Sequence, residues 1–313
     1  MKVNDLIFKE LLRRGYSLEG NTRVWNIADS KLWYLEEEQA KAYLNIDSVK
    51  GKKGSTHKEF QLIKKHVGEI SQKVLNGSGI NIIDIGCGDG LKAIPCIDAL
   101  AKQAPVRYCP IDISSYMVTE AIKNIREAEK REVIEFRWNI SDFDNLENIS
   151  ALLRDDKFRK NFFLFLGGTV NNFELHEVMH EIAEAMDGDI DSLLIGMGLK
   201  TDNDEAVAKR FGEDIHNNFL GQILTQIGFK EDELEFGTRL KNSRIESYYT
   251  VKKDKKVILG DKFIAFYKGD QILVATIRRY SKEEFEEAMR IYFSEVEFFP
   301  QEDGSRALVL CKK

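Results

Sequence analysis

The hydrophobic pattern changes sharply at residues 80–90, INIIDIGCGDG. Ile80, Ile82, Ile83 and Ile85 are apolar and β-branched with little alternation, the composition of a strand buried on both faces. Glycine then occupies every second position, at Gly86, Gly88 and Gly90. A helical pattern follows from Leu91, with Lys92 and Pro95 in its opening turns. The same alternation recurs downstream. Strand-like 107–113 precedes a helix over 114–129, and 133–138 precedes a helix around 146–153. Strand-like 162–166 opens onto Gly167-Gly168-Thr169 and a helix over 175–186, and 191–197 closes the run. Five strands alternating with helices predict a parallel, doubly wound sheet, whose ligands sit beyond the carboxyl ends of the strands.

The flanking segments differ. Residues 1 to about 50 read as helices: Leu6, Ile7, Leu11 and Leu12 form one stripe, and Leu32, Trp33, Tyr34, Ala40, Tyr43 and Leu44 a second apolar group. The glycine-broken polar run 50–55 is a loop. Thr56 is placed to cap the next helix, with Glu59 at the capping-box position and Phe60, Ile63 and Val67 as the buried face. After Lys200, residues 203–228 read as helix and 233–277 as strands, with turns at Lys241-Asn242 and Lys268-Gly269-Asp270. Ile245, Ser247, Tyr249 and Val251 share one strand face and Glu246, Tyr248 and Thr250 the other. This predicts an antiparallel sheet inserted into the first domain. A helix over 281–292 and strands at 295–299 and 306–311 then return to it.

Composition narrows the classes. The 313 residues suffice for one large domain or two moderate ones, and 43% apolar content supports a sizeable core. A net charge of −6 argues against a nucleic-acid partner, which needs a basic face. No segment approaches the apolar length of a membrane span, and the amino terminus has no signal-peptide core, so a cytoplasmic protein is expected. Cys87, Cys96, Cys109 and Cys311 form no C-x-x-C pair and read as buried free thiols. His176 and His180 lie four apart on a helix without further ligands, so no metal is expected.

A glycine-rich turn alone is a weak signal, since some such matches are ordinary tight turns. Three acidic positions single this one out. Asp84 stands at the strand tip, two residues before Gly86. Asp112 ends the next strand, 26 residues beyond Gly86, near the spacing at which an acid takes a ribose hydroxyl pair. Asp142-Phe143 follows the third strand, an acid to accept from an adenine amine and a ring to stack on its face. The order D-x-G-x-G-x-G differs from the G-x-G-x-x-G of dinucleotide enzymes, which disfavours a nicotinamide-dependent oxidoreductase.

These motifs resemble those of class I S-adenosylmethionine-dependent methyltransferases. More narrowly, the chain resembles the histidine-specific N-methyltransferases of ergothioneine biosynthesis. The likeness rests on Lys31-Leu32-Trp33-Tyr34, Ser55-Thr56, the glycine loop with Lys92, Pro110-Ile111-Asp112-Ile113-Ser114, Asp142-Phe143 and Arg244-Ile245-Glu246. Its most specific stretch is 165–172, FLGGTVNN, similar to the family's F-L-G-S-T-I-G-N.

The resemblance implies a class I methyltransferase, Rossmann-like α/β fold: a doubly wound sheet with an inserted α+β substrate domain. The S-adenosylmethionine-binding domain would comprise 56–200 plus 277–313, and the substrate-binding domain 1–55 plus 201–276, with the reacting methyl group in the cleft between them. Asp84, Gly86, Gly88, Gly90, Lys92, Asp112, Ser114, Asp142, Phe143 and Gly167 would bind the cofactor, released as S-adenosylhomocysteine. Asn172 would hold the acceptor's α-amino and carboxylate groups as both catalytic and substrate-binding residue; the alternative for a plain asparagine here is a helix cap. Tyr34, Tyr43, Phe211, Ala275 and Ile277 would line the acceptor site. Lys53-Gly54 replaces the family's tyrosine pair, and Ala275 and Ile277 replace its imidazole-binding glutamate and serine. The expected activity is therefore methyl transfer to the amine of an amino acid or similar small molecule other than histidine. The alternative is a protein of this fold that binds the cofactor without turnover.

Overall fold

The computed structural model describes residues 3–50, 55–75, 77–128, 132–135, 139–140, 145–188 and 190–313. The chain begins with α1 (Val3–Arg14), β1 (Tyr16–Glu19), β2 (Thr22–Asn26), α2 (Glu37–Lys50) and α3 (Ser55–Val74). There follow β3 (Ile80–Ile85), α4 (Ile94–Leu100), β4 (Val106–Ile111), α5 (Ser115–Glu127), β5 (Glu132–Val133) and α6 (Leu146–Leu153). Next come β6 (Lys160–Phe165), α7 (Leu175–Ala185), β7 (Ser192–Gly198), α8 (Asp204–Phe211) and α9 (Asp214–Thr225). The strands β8 (Leu234–Lys241), β9 (Arg244–Val251), β10 (Lys255–Leu259), β11 (Lys262–Phe266) and β12 (Gln271–Arg278) are followed by α10 (Lys282–Met289), β13 (Glu295–Pro300) and β14 (Arg306–Lys312). Two compact units result: Asp47–Thr201 with Tyr280–Lys313, and Met1–Ile46 with Asp202–Arg279.

The first unit is a seven-stranded sheet in the order β13-β14-β7-β6-β3-β4-β5. Strands β7, β6, β3, β4 and β5 run parallel, and β14 is antiparallel to both its neighbours. Every residue of β3, β6 and β7 is buried. Alternate side chains feed two cores. Ile83, Ile85, Phe163, Phe165 and Ile195 pack with Leu146 and Ile149 of α6, Met179 and Ile182 of α7, and Phe285 of α10. Ile80, Ile82, Phe162, Leu164 and Leu194 pack with Ile63 and Ile70 of α3 and Ile97 of α4. This two-sided covering is what the unbroken apolar runs require. The four cysteines are free and buried.

Buried polar groups pin the amino ends of the central strands. The Asn81 amide donates to Leu153 O (3.0 Å) and to Asn161 Oδ1 (2.9 Å), and its Oδ1 accepts from Arg107 Nε (2.9 Å). Asn161 Nδ2 donates to Ser150 Oγ (2.8 Å), and Asn161 N donates to Asp191 Oδ1 (2.8 Å), which Arg154 pairs.

The second unit has a five-stranded sheet, β1-β2-β12-β9-β8, and a separate β10-β11 hairpin. The face of β9 carrying Ile245, Ser247, Tyr249 and Val251 is buried, as the alternation predicts. Tyr249 and Val251 pack with Trp25, Phe219 and Ile223. The β8–β9 turn places Asn242 and Ser243 at φ 49° and 56°. Asp204 and Arg279 form a buried bidentate pair at 3.1 and 3.2 Å, fastening the start of α8 to the end of β12.

The structure corrects several expectations. Residues 16–26 form a hairpin, not helix: Gly15 and Gly20 adopt φ near 60° and bracket β1. The sheet of the second unit is mixed, because β2 pairs with β12 in parallel. Helix α4 starts at Ile94 rather than Leu91, since residues 91–93 complete the turn begun at Gly90 and Pro95 suits the first helical turn. Strand β5 is two residues long, and residues 136–138 of the expected strand lie outside the described set.

Replacing Asn81 by leucine strips partners from Arg107 and Asn161 in a buried setting. A loss of about 3 kcal/mol in urea unfolding is expected. A loss below about 1 kcal/mol would show that the network is dispensable.

Candidate active site

The carboxyl ends of β3, β4 and β6 meet at one edge of the first unit. Where β3 ends, Gly86 N and Cys87 N both donate to Ile111 O, at 2.8 and 3.1 Å. Gly86 and Gly88 adopt φ 64° and 54°, a region where side chains are strained, so glycine alone turns here freely. A Cβ on Gly88 would meet nothing within 4 Å, so this backbone faces open space. Gly90 serves packing instead: a Cβ there would stand 3.1 Å from Ala121 and from the Tyr108 hydroxyl.

Asp112 spans two strand ends. Its Oδ2 accepts from Gly88 N (3.2 Å) and its Oδ1 from Ser114 N (2.9 Å). Ser114 caps α5, its side chain accepting from Met117 N. Burial pushes Asp112 up to about 6, against the pull of the backbone N–H groups of Ser114, Gly88 and Ile113. Asp84 is 4% exposed and accepts from the Tyr108 hydroxyl at 2.7 Å. Burial pushes it up to about 7; the Tyr108 bond and the Lys92 charge oppose the rise, and Asp112 adds to it.

The loop after β6 closes on the glycine turn. Gly167 and Gly168 take φ 83° and 74°, and a short 3-10 turn, Thr169–Asn172, follows. A Cβ on Gly167 would lie 3.3 Å from Lys92 Nζ, and one on Gly86 would lie 3.5 Å from Thr169 Cγ2. Asn171 bonds both Gly198 O and Gly198 N at 3.2 Å. Asn172 is half-buried, and its amide has no partner among the described residues. It does not cap α7, whose cap position is Glu174. The loop is held from behind by Glu59, which accepts from Gly167 N at 2.5 Å and pairs with Arg306. The capping-box role expected of Glu59 is thus not what occupies its carboxylate. Tyr108, Glu59 and Arg306 carry no local sequence signal for these roles, because their partners are brought together only by the sheet.

The remaining candidates divide. Asp142 and Phe143 lie outside the described residues; just before them, Asn139 O accepts from Asp112 N at 3.0 Å. In the second unit, the half-buried rings of Tyr34 and Tyr43 stand 5.1 Å apart, edge to face, and both pack on Phe219. Phe211 packs on His216 at 5.0 Å. Ala275 is 3% exposed within the core cluster, and Ile277 is half-buried opposite Ile245.

The sequence profile of the histidine-specific, SAM-dependent methyltransferases matches residues 54–313. The chain belongs to that family. No curated protein matches it in sequence at a significant level. Among solved structures it is similar to DesVI of Streptomyces venezuelae, at 13% identity and TM-score 0.39 over 88% of this chain and 99% of that one. It is similar to the sugar N-methyltransferase KedS8 of Streptoalloteichus sp. ATCC 53650, at 13% identity and TM-score 0.38 over 81% and 87%. It is also similar to a putative O-methyltransferase of Nostoc punctiforme, at 11% identity and TM-score 0.42 over 99% and 69%. At such scores these likenesses carry no weight for acceptor or chemistry.

This methyltransferase uses S-adenosylmethionine, and the carboxyl edge fits that cofactor. Gly88 has open space beside its Cα, and Asp112 offers a carboxylate whose hydrogen-bond donors, among the described residues, are backbone N–H groups. When bound, the cofactor supplies an electrophilic methyl group on a sulfonium. Among the described residues no helix is long and apolar enough to cross a membrane.

Asp84 binds protons more readily folded than unfolded, where its pKa is near 3.8. In that window the folded state holds the extra proton, so Asp84 makes stability fall as pH rises from about 4 to about 7. Asp84→Asn should remove this slope. Without cofactor, the variant should melt higher than wild type at pH 8, by on the order of 2 kcal/mol, with the gap closing toward pH 5. Parallel melting profiles would contradict the assignment.

Proposed function

We propose that the enzyme transfers the methyl group of S-adenosylmethionine to a nitrogen of a small molecule, the amine of an amino acid or a related compound. The observation that supports the reading is Asn172: its amide has no partner among the described residues, three residues beyond Thr169, whose Cγ2 a Cβ on Gly86 would approach to 3.5 Å. An unpaired amide offers both a donor and an acceptor, suited to an ammonium-and-carboxylate pair. Methyl transfer is an in-line displacement, so the acceptor amine must be neutral and held in line by the protein's polar groups. Tyr34 and Tyr43 carry hydroxyls of the kind that orient such an amine. Asp84, Gly86, Gly88, Lys92, Asp112, Ser114 and Gly167 are the residues proposed to hold the cofactor, with Asp142 and Phe143 proposed for its adenine.

Histidine is proposed to be a poor acceptor. Ala275 and Ile277 stand where the family signature has an imidazole-binding glutamate and serine. An imidazole whose polar nitrogens go unpaired forfeits roughly 1–3 kcal/mol for each. The net charge of −6 further disfavours a nucleic-acid acceptor.

The test is S-adenosylhomocysteine release across free amino acids and small amines. Turnover with an amine-bearing compound and little with histidine is expected. Efficient trimethylation of histidine, activity confined to proteins or nucleic acids, or turnover with none of the panel would each overturn the proposal. Separately, Asp112→Ala should weaken S-adenosylhomocysteine binding by about 1.5–3 kcal/mol, roughly 10- to 100-fold, in calorimetry. Equal affinities would remove Asp112 from the site.

A further inference from the structure

Glu59 has no solvent-exposed surface, and a carboxylate so placed is costly unless it is both paired and hydrogen-bonded. Its two oxygens serve different partners. Oε2 pairs with Arg306, whose side chain is 11% exposed, and Oε1 accepts from the backbone N–H of Gly167. An ion pair fastening α3 to β14 would need only the first contact. The second reaches the opening residue of the loop that stands against Lys92 and Gly86.

The neighbouring strand is shaped around this carboxylate. Gly196 lies inside β7, where glycine weakens a strand. A Cβ at Gly196 would stand 2.6 Å from Glu59 Oε1 and 2.8 Å from its Cδ. Position 196 is therefore glycine-sized because Glu59 fills the space above it. The same residue's carbonyl accepts from Gly168 N at 3.1 Å, so the loop is gripped at two successive amides. Gly167 and Gly168 at positive φ have wide conformational freedom of their own, and these two bonds remove it.

We infer that Glu59, braced by Arg306 and admitted by Gly196, is a positioning residue that sets where the Gly167–Thr169 loop stands against the glycine turn and hence how tightly the cofactor is held. The inference rests on the placement of the cofactor at this edge. Glu59 acts through the backbone of the loop.

The experiment uses full-length protein, with S-adenosylhomocysteine affinity measured calorimetrically at a temperature where circular dichroism shows each variant fully folded. Glu59→Asp keeps the charge beside Arg306 but draws the carboxylate back by one methylene. Gly196→Ala keeps Glu59 and displaces it. Each should lower affinity about tenfold, the worth of one charge-assisted hydrogen bond, and raise KM for S-adenosylmethionine more than KM for the acceptor. The double variant should be little worse than the worse single one, since both act on the same bond. Arg306→Lys should retain most of the affinity that Arg306→Ala loses, which keeps the test open if Glu59→Asp fails to fold. Wild-type affinity in the folded Glu59 and Gly196 variants, or losses that simply add, would overturn the inference. If Asp112→Ala weakens binding and Glu59→Asp does not, the positioning role falls while the site stands. If neither moves it, the site and the inference fall together.

Discussion

The carboxylate of Asp112 ties together two strand ends at the carboxyl edge of the parallel sheet. One oxygen takes the amide of Gly88 and the other that of Ser114. Both donors are backbone groups that the turns would otherwise leave unpaired, and a buried unpaired N–H costs as much as a lost hydrogen bond. One side chain therefore satisfies the turn after β3 and the turn after β4 together. Its position leaves the chain little choice about where the two loops lie. Burial has its own effect on this group: it pushes the carboxylate up to about 6, although the backbone N–H groups of Ser114, Gly88 and Ile113 pull the other way.

Glycine does three different jobs around this edge, and they are separable by geometry. Gly86 and Gly88 supply positive φ where the chain must turn. Gly90, although also at positive φ, makes room for Ala121 and the Tyr108 hydroxyl. Gly196 supplies neither a turn nor an open surface; it makes room for the carboxylate of Glu59. A D-x-G-x-G-x-G motif invites one explanation for all its glycines, but of the three only Gly88 has open space beside its Cα.

What was legible in the sequence is what is local. The isoleucines of β3 and the aromatic run of β6 are apolar without a break because helices cover both faces, and that pattern is visible residue by residue. That Asp84, Asp112, Ser114 and Gly167 sit at or just beyond strand ends was readable because a strand-turn-helix unit sets its carboxyl edge at a fixed offset from its own strand. The hairpin over 16–26 was not, since its strands are short and β2 finds its inner neighbour, β12, only through pairing some 250 residues away, Val24 opposite Gln271. The role of Glu59 was hidden for the same reason: Thr56 and Glu59 have capping-box spacing, and nothing local says that a helix glutamate will turn to a loop at residue 167 and a strand at residue 306.

This contrast has a chemical counterpart. The residues proposed for the cofactor hang from consecutive strands of one parallel sheet, whose register is enforced by cores on both faces. The residues proposed for the acceptor, apart from Asn172, hang from a unit whose sheet is assembled from two distant segments, with Tyr34 and Tyr43 on the first and Ala275 and Ile277 on the second. Substitution in such a unit meets fewer constraints, because each side chain answers to local packing rather than to a shared strand edge. Ala275, for instance, is spoken for by the core around Phe219 and Ile272, so an alanine there satisfies packing whatever the acceptor is. A strand edge held by backbone bonds and a two-segment unit held by side-chain packing thus answer to different constraints: the turn at Gly86–Gly90 is fixed by its own φ angles and by Asp112, whereas Ala275 is fixed by the apolar neighbours it packs with.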